Sequence, residues 1–222
     1  MLSWDNTPSL GVQLANSLRM KIVSGELTSN QKISENSIAN EYGSSRAPVR
    51  EALRILENEG LVHLNKQGVI IKGLAQSDLQ DFYDVRFMLE TFALTHIKPE
   101  VIPKLADQLE TFSDRMELAI VHHDSEEFAA QDMNFHNLVF ENIQHRFVKL
   151  FWQNIQSLSQ TILYVGTKYR FEQAEYQHNH QAALNHSRII QALRLGDSDQ
   201  LRQALLLHFS YYNGWITKEK FW

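Results

Sequence analysis

Apolar residues recur every three to four positions along most of the chain, and the period shortens clearly at one place. Leu10, Leu14, Leu18 and Ile22 share one helical face, and Gly25 follows as a stop, which predicts a first helix. Ser34 offers an N-cap for a short second helix whose apolar positions Ile38, Ala39 and Tyr42 end at Gly43. Ser44 or Ser45 can cap a third helix with Pro48 in its first turn and Val49, Ala52, Leu53 and Leu56 as its buried stripe. Gly60 ends it. Leu61 to Leu64 and Val69 to Ile71 then read as two short strands, joined by Asn65, Lys66, Gln67 and Gly68 as a hairpin turn.

From residue 75 onward the pattern is helical throughout. Ser77 with Gln80 forms a capping box before Leu79, Phe82, Tyr83, Arg86, Leu89, Glu90 and Ala93. A second helix starts near Pro99 to Pro103 and ends near His122; Asp124 with Glu127 opens a third, and a fourth runs from about Phe147 to Val165. Gly196 stops a fifth, and Asp197 with Gln200 caps the sixth. The expected fold is mainly α. Residues 1–74 form a winged helix-turn-helix domain, and 75–222 form an all-helical bundle.

Composition narrows the chemistry. The chain has 222 residues and no cysteine, which removes disulfides, thiolate metal sites and cysteine nucleophiles. Its start, MLSWDNTPSL, lacks the basic segment and apolar run of a signal peptide, and no run of apolar residues is long enough to span a bilayer. No membrane association is expected. The net charge of -5 is uneven: residues 1–74 carry eight Lys+Arg against seven Asp+Glu, or +1, and the rest thirteen against nineteen, or -6. A polyanion partner would therefore meet the first part, through clustered rather than net charge.

That clustering lies in the third helix. With Val49, Leu53 and Leu56 facing inward, Arg46, Arg50 and Arg54 share the opposite side, and the first two lie near the end that enters a major groove in such modules. An arginine there can donate two hydrogen bonds to guanine.

The stretch from Ile22 to Ile71, above all SRAPVREAL followed by EGLV, resembles the DNA-binding domain of the GntR family of bacterial transcription regulators. VRFMLETFAL, DMNFH and HSRIIQALRLGD resemble the FCD effector domain of its FadR-type branch. The resemblance covers nearly the whole chain. It implies a dimeric cytoplasmic regulator, repressor or activator, that binds a short palindromic operator on double-stranded DNA and responds to a small metabolite. Carried over by position, the DNA-reading residues are Ser45, Arg46 and Arg50, with Gln67 and Gly68 at the wing tip and Lys66 beside them as a phosphate contact. Two positions differ from the common pattern: Asn36 follows Glu35 where many members place a basic residue, and the wing holds Lys66 and Gln67 where an arginine is common.

Asp132 and His136 are four residues apart, so a helix places both on one face. Spacing alone is weak evidence, since about 0.45 such matches are expected by composition alone. His186 and His208 strengthen it, because both project from apolar faces that must turn inward. Three imidazoles and a carboxylate suit zinc or nickel with positions left open for a ligand. In the family it resembles, the matching positions hold a metal that helps to bind a carboxylate-bearing effector. Arg86 is a second candidate for that carboxylate, against a simple helical pair with Glu90. Two other readings compete: an acyl-binding bundle without metal, as in one branch of the family it resembles, and a metal-dependent hydrolase. The hydrolase lacks a motif that supplies a general base, so no enzyme activity is expected.

Overall fold

The structure, a computed structural model, describes residues 8–66 and 68–216, with side chains as far as residue 209. The chain divides into two compact units that part between Ala75 and Gln76.

In the first unit α1 (Leu10–Val23) packs on α3 (Arg46–Asn58), and α2 (Glu35–Glu41) closes the side of α3. Leu14, Leu18 and Ile22 meet Val49, Leu53 and Leu56 in a core with almost no solvent access; Leu10, at the exposed mouth of α1, stays outside it. Ser34 caps α2 and forms a reciprocal box with Ser37, whose hydroxyl accepts from the Ser34 backbone N–H. Across the α1/α3 junction Arg19 is buried and grips Glu59 with two hydrogen bonds of 2.7 and 2.6 Å, while its third nitrogen donates to Asn16. The ion pair ties the second half of α1 to the end of α3.

The hairpin of β2 (Val62–Asn65) and β3 (Gly68–Ile71) is joined by a strand the periodicity did not reveal. β1 (Lys32–Ile33) pairs antiparallel with β3, which gives a three-stranded sheet of order β1-β3-β2. A two-residue strand is too short to show a period of two.

The second unit holds six α-helices among the described residues: α4 (Gln76–Thr95), α5 (Ile102–Val121), α6 (Ser125–Asn142), α7 (Arg146–Glu172), α8 (Tyr176–Leu195) and α9 (Ser198–Ile216). A 3-10 turn at Pro99–Val101 leads into α5. α5 packs on α6 and α8, α6 on α7, α8 on α9, and α9 on α4. Two boundaries differ from expectation. α4 begins at Gln76, so Ser77 lies inside its first turn instead of capping it. α7 continues past Gly166 to Glu172, because Thr167 and Arg170 beyond that glycine are buried and tertiary packing outweighs the weak helical preference of one residue. Asp124 and Asp197 do cap α6 and α9, each accepting two backbone N–H groups. No helix among the described residues is long and apolar enough to cross a membrane.

Candidate nucleic-acid interface and candidate metal centre

Gly43 turns the chain through a positive φ and lets Ser45 start α3 as its N-cap. The Ser45 hydroxyl makes no capping bond, so the first N–H groups of α3 keep their partial positive charge. Arg46, Arg50 and Arg54 all lie on the exposed face of α3, opposite the buried Val49, Leu53 and Leu56. The Arg50 Nε donates to Glu35 Oε2 at 2.8 Å, a bond from α3 to the first residue of α2. That contact orients the guanidinium while leaving it open to solvent. An acid at the start of α2 is favoured there by the helix dipole.

Lys66 is exposed beyond the end of β2, and Gly68 pairs with Asn65 across the hairpin. Gly68 has a structural reason to lack a side chain: its φ is +132°, and a Cβ would stand 3.0 Å from the Ile33 carbonyl oxygen of β1. Gln67 lies outside the described residues.

In the helical unit the four residues singled out by spacing come together. α6 supplies Asp132 and His136, α8 supplies His186, and α9 supplies His208; all four are buried. The three imidazoles can each place a ring nitrogen within 4.8 Å of the others. His136 Nε2 lies 3.1 Å from Asp132 Oδ1, His186 Nε2 lies 3.5 Å from the same oxygen, and the two Nε2 atoms are 3.4 Å apart.

The outer nitrogens explain why these rings point inward. His186 Nδ1 donates to the Ala182 carbonyl at 2.8 Å, and since a carbonyl only accepts, the proton is on Nδ1 and the Nε2 lone pair faces the cluster. His136 Nδ1 faces Glu90 Oε2 at 2.5 Å, which frees its Nε2 for the same purpose. Glu90 is in turn held by Arg86, whose Nε and Nη2 donate to Glu90 Oε1 at 3.0 and 2.8 Å. Arg86 therefore makes the helical pair with Glu90 and still lies in the bundle interior, over the rings of Tyr83, Trp152 and Phe209. Periodicity marked Glu90 only as a partner for Arg86; its bond to His136 joins two separate helices and leaves no spacing signal.

The electrostatics suit a cation. Burial alone would raise the Asp132 pKa, but the neighbouring imidazoles of His186 and His136 hold it well below the usual range. Burial opposes charge on His136, yet the Glu90 and Asp132 carboxylates together outweigh it and raise its pKa. Burial, reinforced by His186 and His136, pushes the His208 pKa well down, which keeps that imidazole neutral as a ligand must be. A divalent ion with Asp132 leaves one positive charge, because Arg86 and Glu90 cancel.

The helical unit buries further polar side chains. The Tyr83 hydroxyl is pushed up to about 12, chiefly by burial, against the lowering pull of Arg86 and Arg170. Arg170 is buried and donates to the equally buried Thr167 at 3.0 Å. Asn179, in the first turn of α8, has no exposed surface, and neither its Oδ1 nor its Nδ2 has a hydrogen-bond partner. An unmet buried polar group costs about 1–3 kcal/mol, so an amide with both ends unmet needs an explanation. Sequence gave no sign of it, because Asn179 carries no motif.

Comparison with known proteins covers both units. Residues 10–70 match the family described as bacterial regulatory proteins, gntR family, and residues 81–211 match the FCD domain. The gluconate operon transcriptional repressor of Bacillus subtilis is 34% identical over 93% of this chain and 84% of its own length. The protein of the same name from Bacillus licheniformis is 30% identical over 97% and 90%. Among solved structures, E. coli McbR/YncC superposes with a TM-score of 0.70 at 17% identity, covering 96% of this chain and all of that one, which bears on the fold alone.

Proposed function

Because the chain belongs to the gntR family of bacterial regulatory proteins and carries an FCD domain, it is a ligand-responsive DNA-binding transcriptional regulator, and we propose that its helical unit senses a small carboxylate through a bound divalent metal. Residues 1–74 are the DNA-binding domain, with Ser45, Arg46, Arg50, Lys66, Gln67 and Gly68 as its contact set. Residues 75–222 bind the effector and form the homodimer that a palindromic operator requires. The protein works in the cytoplasm and catalyses no reaction.

One observation carries the metal reading: the buried imidazoles of His136, His186 and His208 converge, and the outer nitrogens of His136 and His186 face Glu90 and the Ala182 carbonyl. Asp132, His136, His186 and His208 would hold zinc or nickel, which would supply a Lewis-acidic anchor for one carboxylate oxygen. The protein's own residues do the rest. Glu90 and the Ala182 carbonyl aim the rings, Arg86 secures Glu90, and with a divalent ion held there the net positive charge would favour an anion. The names of the two Bacillus relatives make gluconate the first acid to try.

Metal analysis by mass spectrometry tests this reading directly. About one equivalent of zinc or nickel per chain is expected, with His186→Ala and His208→Ala both reducing it below a tenth. A metal-free protein that melts at the same temperature with and without added ions would overturn it. Co-purifying acyl lipid in such a protein would favour the metal-free alternative.

A further inference from the structure

We propose that a second copy of this chain docks on one shared face of α4 and α7 in antiparallel register, with Asp81 of each protomer against the partner's Arg146. The proposal rests on the reading of this unit as the dimerising one and adds the surface and the register.

Two contacts fix how the helices lie. The Arg86 guanidinium of α4 stands 5.7 Å over the Trp152 ring of α7, and Phe92, six residues further along α4, meets the His145 ring that caps α7 at 5.2 Å. One helix advances as the other returns, so the pair is antiparallel and Met88 lies level with the first turns of α7. Val85, Met88 and Phe92 follow one another by three and four residues, and so share a stripe of α4; Phe147, Leu150 and Phe151 do the same on α7. Val85 and Met88 are 39% and 60% exposed, and the three residues of α7 are 57%, 45% and 55% exposed. Because Phe92 stands beside His145, two residues before Phe147, the stripes adjoin.

Phe147 and Phe151 are the exposed phenylalanines among the described residues, while Val148 and Trp152 next to them in sequence are buried. Aromatic, methionine and leucine side chains exposed together mark a protein contact. Charge at the two ends selects the occupant. Asp81, one turn before Val85 on the same stripe, closes one end with an exposed acid. Arg146, whose guanidinium stands 5.7 Å from the centre of the Phe147 ring, closes the other with an exposed cation. Asp81 and Phe92 are eleven residues apart, or about 16 Å along the helix. A two-fold axis between Val85 and Met88 lays the acidic end of one copy on the basic end of the other, so the face is complementary to itself. A uniformly acidic or basic partner would be repelled at one end.

Sedimentation velocity of the full chain over a concentration series tests the proposal. The wild type should run at twice the chain mass, and Met88→Lys with Phe151→Lys should weaken the dimer at least about a hundredfold, because the added charges would be buried without partners. Val121→Lys, which changes an apolar position of α5 that is 66% exposed, should leave the dimer unchanged. Charge exchange tests the register: Asp81→Arg and Arg146→Asp should each weaken the dimer at least about tenfold, since each sets two like-charged pairs across the axis, and both together should restore it to within about threefold. Both positions are exposed, so these variants serve if the lysine pair fails to fold, and circular dichroism separates loss of the dimer from loss of helix. A dimer that survives the lysine pair, weakens equally in Val121→Lys or is not restored by the double exchange would overturn this proposal alone. A wild type that stays monomeric would overturn the homodimer reading as well.

Discussion

The bond between Arg50 and Glu35 puts an acid next to a cation proposed to meet DNA. Two effects oppose each other there: the carboxylate holds the guanidinium in one geometry, but it also repels phosphates. Geometry governs specific binding, and charge governs non-specific binding. Arg50→Ala should cost about 1–3 kcal/mol on the operator with little change on random duplex. Glu35→Gln should tighten random duplex and lower the ratio of specific to non-specific affinity, whereas Lys66→Ala should weaken all sequences and reduce the salt slope by about one. Fluorescence anisotropy at several salt concentrations reads all three, and an Arg50→Ala protein with unchanged operator affinity would remove that residue from the base-reading set. At this scale sequence was informative where a side chain's role follows from its own helix. Arg46 and Arg50 were placed correctly on the exposed face because Val49 and Leu53 define the buried one. Glu90 and Asn179 were not legible, since the first acts through His136 on another helix and the second is defined by bonds it does not make.

Between elements, the Arg19–Glu59 pair of the amino-terminal unit has both side chains largely removed from water. Breaking such a pair leaves a buried charge, which is worse than having no pair at all. Glu59→Ala should therefore destabilise that unit by about 3–5 kcal/mol in urea denaturation, while Arg19→Met with Glu59→Leu should cost far less. A single-variant loss below about 1 kcal/mol would show that solvent reaches the site and screens it. Element existence was readable from the period of apolar positions in both units. What escaped were β1, whose two residues only make sense once β3 lies beside them, and the end of α7, where the glycine at 166 looks like a stop in isolation but is overridden by burial beyond it. Local preference decides where helices can end, and packing decides where they do end.

For the whole molecule, the four candidate ligands were legible because Asp132 and His136 are one turn apart and His186 and His208 interrupt apolar faces. Their convergence required the bundle's helix order, which sequence could only imply. Regulation requires that the acid have different affinities for forms of the protein that do and do not grip DNA; a ligand without such a difference would shift nothing. Reciprocity then ties the two units together: whatever factor the acid applies to DNA affinity, DNA must apply to the acid. The measurement that tests this account most directly is an anisotropy titration of an operator with the metal-loaded full chain, with and without a saturating hydroxylated acid such as gluconate. A shift in operator affinity of at least about fivefold is predicted, with His186→Ala retaining its acid-free affinity and losing the shift. An operator affinity that ignores the acid, or an acid response that survives the loss of both His186 and bound metal, would contradict the claim that this centre controls DNA binding.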